Sequence, residues 1–171
     1  LRPAPGDVPR FKAAIGNADR VLLLGVTPEL AELGGDLTGV DNSPRMIARV
    51  WPGDTARRRA QLADWTELPF EDRSFDAIVG DGSLNSAADQ LDSVLEEAAR
   101  LLRRGGKAVF RCFCSPDEPE TLESIADDLD TSGNVHALKW RVAMAIAADR
   151  PRRVVPVSEV LAGFNRLVPD R

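Results

Sequence analysis

The chain has 171 residues, 43% hydrophobic and 29% charged, with 22 Lys+Arg against 27 Asp+Glu for a net charge of -5. That length makes one domain able to bury a core without a disulfide or metal staple. The acidic balance argues against a general nucleic-acid or membrane-surface binder, and no apolar run approaches the length a bilayer needs. No charged-then-apolar leader opens the chain; it starts at Leu1 rather than Met, so it reads as processed or trimmed, and the cytoplasm is the expected compartment.

In chain order, residues 1–9 are Pro-rich and read as a loose arm, and residues 10–15 as a short helix. Residues 20–24 (RVLLL) are a continuous apolar run stopped by Gly25, the pattern of a strand buried on both faces. Thr27 as cap and Pro28 in the first turn predict a helix that stops near Gly34-Gly35. Residues 36–40 (DLTGV) predict a second strand ending at Asp41, and Ser43-Pro44 repeats the cap-then-Pro signal for a helix over 44–51. Residues 59–63 (RAQLA) and 74–79 (SFDAIV) predict strands three and four, the latter stopped by Gly80-Asp81-Gly82. Over 90–103, Leu91, Val94, Leu95, Ala98, Leu101 and Leu102 recur at helical spacing; Gly105-Gly106 then turns into a fifth strand at 107–114 (KAVFRCFC). Helices are predicted at 118–128, 135–148 and 158–167, with a Pro/Arg-rich link at 150–156.

Strands alternating with helices predict βαβ units, a parallel sheet and right-handed crossovers. Ligands of such sheets bind beyond the carboxyl ends of the strands. Those ends are Gly25, Asp41, Asp64, Asp81 and Cys114.

Gly25-Val26-Thr27-Pro28-Glu29 offers a close backbone approach and helix N–H groups, but it lacks the glycines of a dinucleotide fingerprint, and an ordinary turn would read the same. Asp41 is placed to accept both hydroxyl protons of a ribose, unless it or Asn42 merely caps the following helix. Asp64 could accept from an exocyclic amine while Trp65 offers a flat face for a purine; a loop Asp beside a core Trp is the plainer alternative. Asp81, in D-G-S-L-N, could bind a substrate group or take a proton, or simply form a turn. His136 is the lone histidine and a possible general base, with Trp140 one turn later on the same helix face. Cys112 and Cys114, two apart on one strand, suit neither an ordinary disulfide nor a zinc site, and no metal is expected. Arg57-Arg58-Arg59 reads as a solvated face.

Taken together, VLLLG (21–25), LTGVDNSPRMI (37–47), LADWTELPFEDRSFDAIVGDGSLN (62–85) and VLEEAARLLRRGGKAVF (94–110) resemble the class I S-adenosylmethionine-dependent methyltransferases. The most specific piece is A-D-W-x-x-L-P-F-E-D-x-S-F-D at 63–76. The resemblance implies a three-layer Rossmann-like α/β fold with strand order 3-2-1-4-5, helices on both faces and S-adenosylmethionine as cofactor. It implies one domain over 1–171: the arm, a cofactor-binding core at 10–114, and a mostly helical substrate, lid or edge-covering region at 115–171. Gly25, Thr27 and Glu29 would lie against the methionine part, Asp41 and Asn42 at the ribose, and Asp64 and Trp65 about the adenine. Asp81 would border the methyl-transfer site, where Asp81 and His136 are the candidate catalytic groups.

The chain departs from the family pattern in two ways. The first strand carries Leu23 where an acidic residue is usual, and Thr27 and Glu29 where two glycines are usual. No later segment reads as the family's closing antiparallel strand pair, so that pair is expected to be missing. The expected activity is methyl transfer to the oxygen or nitrogen of a small molecule. The alternatives are a non-catalytic nucleotide-binding module and an NAD-dependent oxidoreductase. The fifth strand reads as apolar on both faces, so its edge is expected to be covered by residues 152–155, by a helix or by another chain; the preferred expectation is a second copy of the chain or a truncated C-terminus.

Overall fold

The computed structural model describes residues 2–114, 116–129, 135–148, 150 and 155–168. They form two compact units, residues 2–113 and the described residues from Cys114 onward.

The first unit is a five-stranded parallel sheet in the order β3-β2-β1-β4-β5, as the resemblance implied. Its strands are β1 Arg20–Leu24, β2 Asp36–Asp41, β3 Arg58–Leu62, β4 Phe75–Asp81 and β5 Leu102–Arg111. β1 lies centrally: Leu22 is in register with Thr38 of β2 on one side and Ile78 of β4 on the other. Alternation sends Val21 and Leu23 to one face, where they pack with Leu37, Ala77, Val79 and the Phe11 and Ile15 of helix α1 (Asp7–Ile15). Leu22 and Leu24 go to the other face, against Val40, Ile78 and the Val94, Ala98 and Leu101 of helix α4 (Leu91–Leu101). Each such side chain contributes about 1.5–3 kcal/mol on burial. Both faces are covered, which is why β1 is apolar without interruption.

The elements differ from expectation where short-range contacts compete with sequence pattern. The N-terminal arm is ordered from Ala4 by a reciprocal turn, with the Ala4 N–H donating to Asp7 Oδ2 at 2.8 Å, and α1 starts at Asp7 rather than residue 10. The helix predicted after Thr27 is a single 3-10 turn, Pro28–Leu30. A crossover confined to residues 25–35 has too little chain for a longer helix and a return to the start of β2. Helix α2, Pro44–Val50, matches expectation, with Ser43 accepting from the Met46 N–H at 3.4 Å, and a single turn, α3 (Ser83–Ser86), follows β4. β5 begins at Leu102, not 107: the Gly105-Gly106 pair lies inside the strand, beside a register irregularity between Phe75 and Ala77. Arg58 departs from the solvated-face reading, since its guanidinium donates to the Gly53 carbonyl at 2.9 Å and pairs with Glu32.

β5 pairs with β4, and no strand follows it among the described residues. The strand is not covered on both faces as its apolar pattern suggested: Val109 and Phe110 are half-buried against the α1 and α4 clusters, Ala108 is exposed, and Lys107 Nζ donates to the Ala14 carbonyl at 2.7 Å. Pairing by residues 152–155 concerns positions 152–154, which lie outside the described residues. Cys112 and Cys114 are free thiols, both exposed.

The loop from Leu68 to Asp72 is held by two side chains of α4. Glu97 Oε1 accepts from the Leu68 N–H at 2.7 Å, and Arg100 donates to the Phe70 carbonyl at 2.9 Å, to Asp72 Oδ1 at 2.7 Å and to Glu97 Oε1 at 2.6 Å. Asp76 Oδ2 accepts from the Asp19 and Arg20 N–H groups at 2.8 and 2.9 Å. Thus much of the L-P-F-E-D-x-S-F-D signature is architectural. Its hydrogen bond to Arg100 holds the Glu97 carboxyl below the usual carboxylate range, against partial burial. For Asp76, burial is the largest single influence and opposes ionisation, but the Arg20 and Asp19 N–H groups with Arg103 outweigh it and lower its pKa.

A carboxyl group whose pKa falls on folding stabilises fully above its unfolded value and loses that contribution as pH drops through the folded one. Glu97 and Asp76 therefore make the sheet unit acid-labile below about pH 4. Glu97→Gln is expected to lower stability at neutral pH by about 1–3 kcal/mol and to flatten the acid limb. Thermal unfolding between pH 3 and 7 checks both; an unchanged acid limb would remove Glu97 from this role.

The second unit contains α5 (Leu122–Asp127), α6 (Val135–Ala147) and α7 (Val157–Leu167). The predicted start at 118 moves to Leu122 because Thr121 and Ser124 form a reciprocal capping box. Ile125, Leu138 and Val142 are its buried centre, packed with Leu122, Ile146 and Phe164. Gly163 brings α7 close to α6: a Cβ there would stand 2.9 Å from Ile146 Cδ1. Another side of α6, with Trp140, Ala143 and Met144, joins Pro116, Pro119 and Val160 around an apolar cavity of about 290 Å³. Among the described residues no helix is long and apolar enough to cross a membrane.

Candidate functional site

The carboxyl ends of β1, β2 and β3 converge on one carbonyl. Val40 O accepts from the Gly25 N–H at 2.8 Å and from the Trp65 Nε1–H at 2.8 Å. Gly25 has φ 103°, a left-handed conformation that requires glycine. A Cβ on it would touch Trp65 Cζ2 at 4.0 Å, so the indole lies beside the β1 turn. Trp65 is half-buried, with its ring N–H satisfied.

Asp41 is 9% exposed at the last position of β2, and its Oδ1 accepts from the Ser43 N–H at 2.8 Å. That bond fixes the carboxylate and leaves Oδ2 for a ligand. Asp64 is exposed, and its Oδ1 accepts from the Thr66 N–H at 2.9 Å and the Thr66 hydroxyl at 2.7 Å. Those two bonds lower its pKa against slight burial, so at neutral pH it is an acceptor only.

Asp41, Asn42, Asp64 and Trp65 line a single crevice of about 320 Å³, with Ser43 and Met46 of the α2 entry opposite Ala87 and Val94. Four of the sequence-predicted positions thus meet. Gly25 borders them through Trp65, whereas Thr27, Glu29 and Asp81 do not line this crevice. Thr27 starts the 3-10 turn without a side-chain cap bond, and Glu29 Oε1 accepts from Arg2 Nη1 at 3.1 Å. The contribution of residues 86–94 was not foreseen; a periodic helix start carries no signal that its first turn faces a ligand.

Asp81, its side chain 3% exposed, is paired through Oδ1 with Arg111 Nε. Arg111 also stands 3.6 Å from Asp7 Oδ2 and lies over the Phe113 ring at 5.1 Å. Asn85 locks the end of the following turn, donating to the Phe113 carbonyl at 2.9 Å and accepting from its N–H at 3.0 Å. Asp81 is therefore an ion-paired residue rather than an open carboxylate, a pairing invisible in sequence because Arg111 comes from the next strand. His136 belongs to α6; the expectation that it faces an acceptor pocket concerns a side chain outside the described residues.

A family model described as a methyltransferase domain matches residues 25–110, from the Gly25 turn into β5. The chain belongs to this family. The family's cofactor is S-adenosylmethionine, and the class I Rossmann-like architecture is the one the sheet order displays. A demethylmenaquinone methyltransferase of Mycobacterium sp. (strain KMS) is 36% identical over 107 residues, 60% of this chain and 45% of that protein. A sterol 4-C-methyltransferase of Caenorhabditis elegans is 34% identical over 127 residues, 70% of this chain and 36% of that protein. This methyltransferase-family chain thus spans less than half the length of these curated relatives. A solved structure from Anabaena variabilis, described as a methyltransferase from an antibiotic biosynthesis pathway, covers 99% of this chain and 63% of its own. Its TM-score is 0.64 at 15% identity, a likeness of fold.

The acceptors present are of the kind the family's cofactor requires. The crevice holds a buried carboxylate able to accept from vicinal hydroxyls, an exposed ionised carboxylate able to accept from an exocyclic amine, and an indole at the same opening.

Proposed function

We propose that the chain binds S-adenosylmethionine with its nucleoside in the Asp41–Trp65 crevice and transfers the methyl group to a small-molecule acceptor. The observation that carries this reading is the meeting of Asp41, Asn42, Asp64 and Trp65 in one crevice beyond the carboxyl ends of β2 and β3. Asp41 accepts from the ribose hydroxyls, Asp64 from the adenine amine, and Trp65 shields the base. The bound cofactor supplies a methyl group already activated on a sulfonium, so the protein's task is alignment and exclusion of water. The relatives' names, demethylmenaquinone and sterol methyltransferase, favour an apolar acceptor, and the sterol enzyme's adds carbon to the expected oxygen and nitrogen as receiving atom.

A second reading, a binding module without catalysis, is favoured by the pairing of Asp81 with Arg111. Photolabelling with an 8-azidoadenine derivative of S-adenosylmethionine, competed by S-adenosylhomocysteine, tests the base site common to both readings. Label is expected in peptides containing residues 41–46 or 64–65, and competable label confined to other peptides would overturn it. Label in these peptides without turnover on any quinone or sterol acceptor favours the module. Pairing of two copies along the open side of β5 belongs to the same proposal, and a strictly monomeric chain in sedimentation velocity removes it.

A further inference from the structure

Glu29 sits in the short crossover after β1, on the 3-10 turn that replaces a helix. Its Oε1 accepts from Arg2, while its Oε2 is buried with no hydrogen-bond partner among the described residues. A desolvated carboxylate oxygen without a donor is costly, and such groups in native structures call for a specific explanation. β1 presents no charge of its own at this end, since Leu22, Leu23 and Leu24 are all buried.

The topology locates what could satisfy that oxygen. With a nucleoside at the ends of β2 and β3, the remainder of an adenosyl amino acid extends toward the switch point between β1 and β4. Two carboxylates follow or end those strands: Asp81 is the last residue of β4, and Glu29 lies in the turn after β1. Asp81 Oδ1 is taken by Arg111, whereas Glu29 Oε2 lacks a donor. The amino-acid tail of the cofactor carries an α-carboxylate and an α-ammonium, and of the two only the ammonium, a compact cation with donors only, complements a carboxylate oxygen.

We propose that Glu29 Oε2 receives the α-ammonium of the cofactor's methionine moiety, with Arg2 on Oε1 holding the carboxylate toward the ligand. This rests on the cofactor reading above and deepens it: Glu29 stands where a glycine would leave only backbone, and it supplies the charge that β1 lacks. The residue selects for an intact amino-acid tail, not for the nucleoside.

Calorimetry with two probes tests this. S-Adenosylhomocysteine carries the α-ammonium; 5′-methylthioadenosine has the same nucleoside and thioether without the amino-acid tail. Glu29→Gln is expected to weaken S-adenosylhomocysteine binding by about tenfold and to change 5′-methylthioadenosine binding less than twofold. In the unmodified chain, the desamino analogue of S-adenosylhomocysteine is expected to bind about tenfold more weakly than the parent, and in Glu29→Gln the two should bind alike. Equal losses for both probes, or a preserved preference for the α-ammonium in Glu29→Gln, would overturn the assignment while leaving the cofactor site in place. A folded wild-type chain that binds neither probe would overturn the cofactor reading itself. The comparison of parent and desamino ligand needs only the wild-type protein, so it decides the matter even where the variant folds poorly.

Discussion

Asp41→Ala is expected to weaken S-adenosylhomocysteine binding about tenfold to a hundredfold, the value of a hydrogen bond to a charged acceptor at roughly 1.5–3 kcal/mol. Asp41 is 9% exposed and is held by the Ser43 N–H, so its carboxylate meets a ligand already oriented. The substitution also leaves that N–H without its acceptor at the entry to α2, which makes a thermal scan a necessary companion. Asp41→Asn separates the two effects: an amide oxygen can still accept from Ser43, but the charge that strengthens the ribose bonds is gone. The expected order of affinity is wild type, then Asn, then Ala. Because the ribose is common to both probes, Asp41→Ala should weaken 5′-methylthioadenosine as much as S-adenosylhomocysteine, unlike Glu29→Gln. Unchanged affinity by calorimetry would remove Asp41 from the site.

Gly34→Ala is expected to have the largest effect on stability. Gly34 has φ 74°, and a Cβ there would run into Val21 Cγ2 and stand 2.8 Å from the Ala18 carbonyl oxygen. Val21 is fully buried between β2 and β4, and Ala18 O is fixed by the Gly35 N–H at 3.1 Å, so neither neighbour can yield cheaply. Backbone strain of about 1–3 kcal/mol adds to overpacking of about 1–3 kcal/mol. The expected fall in Tm is about 4–24 °C at 2–4 °C per kcal/mol. Gly105→Ala is the control: φ is 78° there too, but no atom lies within 4 Å of the added methyl. It should show the strain alone. Equal Tm losses for the two variants would mean that the contact with Val21 and Ala18 is relieved without cost. At a temperature where Gly34→Ala is still folded, its affinity for S-adenosylhomocysteine should match wild type, because Gly34 lies at the amino end of β2, away from the crevice.

The sheet was legible because its strongest signals are local. RVLLL, a short apolar run stopped by glycine, has the pattern of a strand covered on both faces, and β1 is that strand, central in the sheet. Ser43-Pro44 and the apolar stripe of α4 were equally readable, since caps and helical periodicity act within one or two turns. Thr27-Pro28 carried the same start signal, yet it produced one 3-10 turn. There the length of the crossover, a tertiary constraint, overrides the cap. Gly105-Gly106 misled in the opposite sense: the pair marks an irregularity inside β5, where pairing with β4 continues. At the site, Asp41, Asn42, Asp64 and Trp65 were readable because strand ends of a parallel sheet are where ligands meet it. The Asp81–Arg111 pair and the unpaired oxygen of Glu29 were not, since each depends on which side chains come together from distant parts of the chain.

The central claim, that the crevice at the carboxyl ends of β2 and β3 is an adenosyl site, is tested most directly by calorimetric titration of the wild-type chain with S-adenosylhomocysteine, with NADH as comparison. The account predicts saturable binding of one S-adenosylhomocysteine per chain, abolished or strongly weakened in Asp41→Ala, and no heat from NADH. A cooperatively folded sample that takes up NADH but not S-adenosylhomocysteine, or neither, would contradict it.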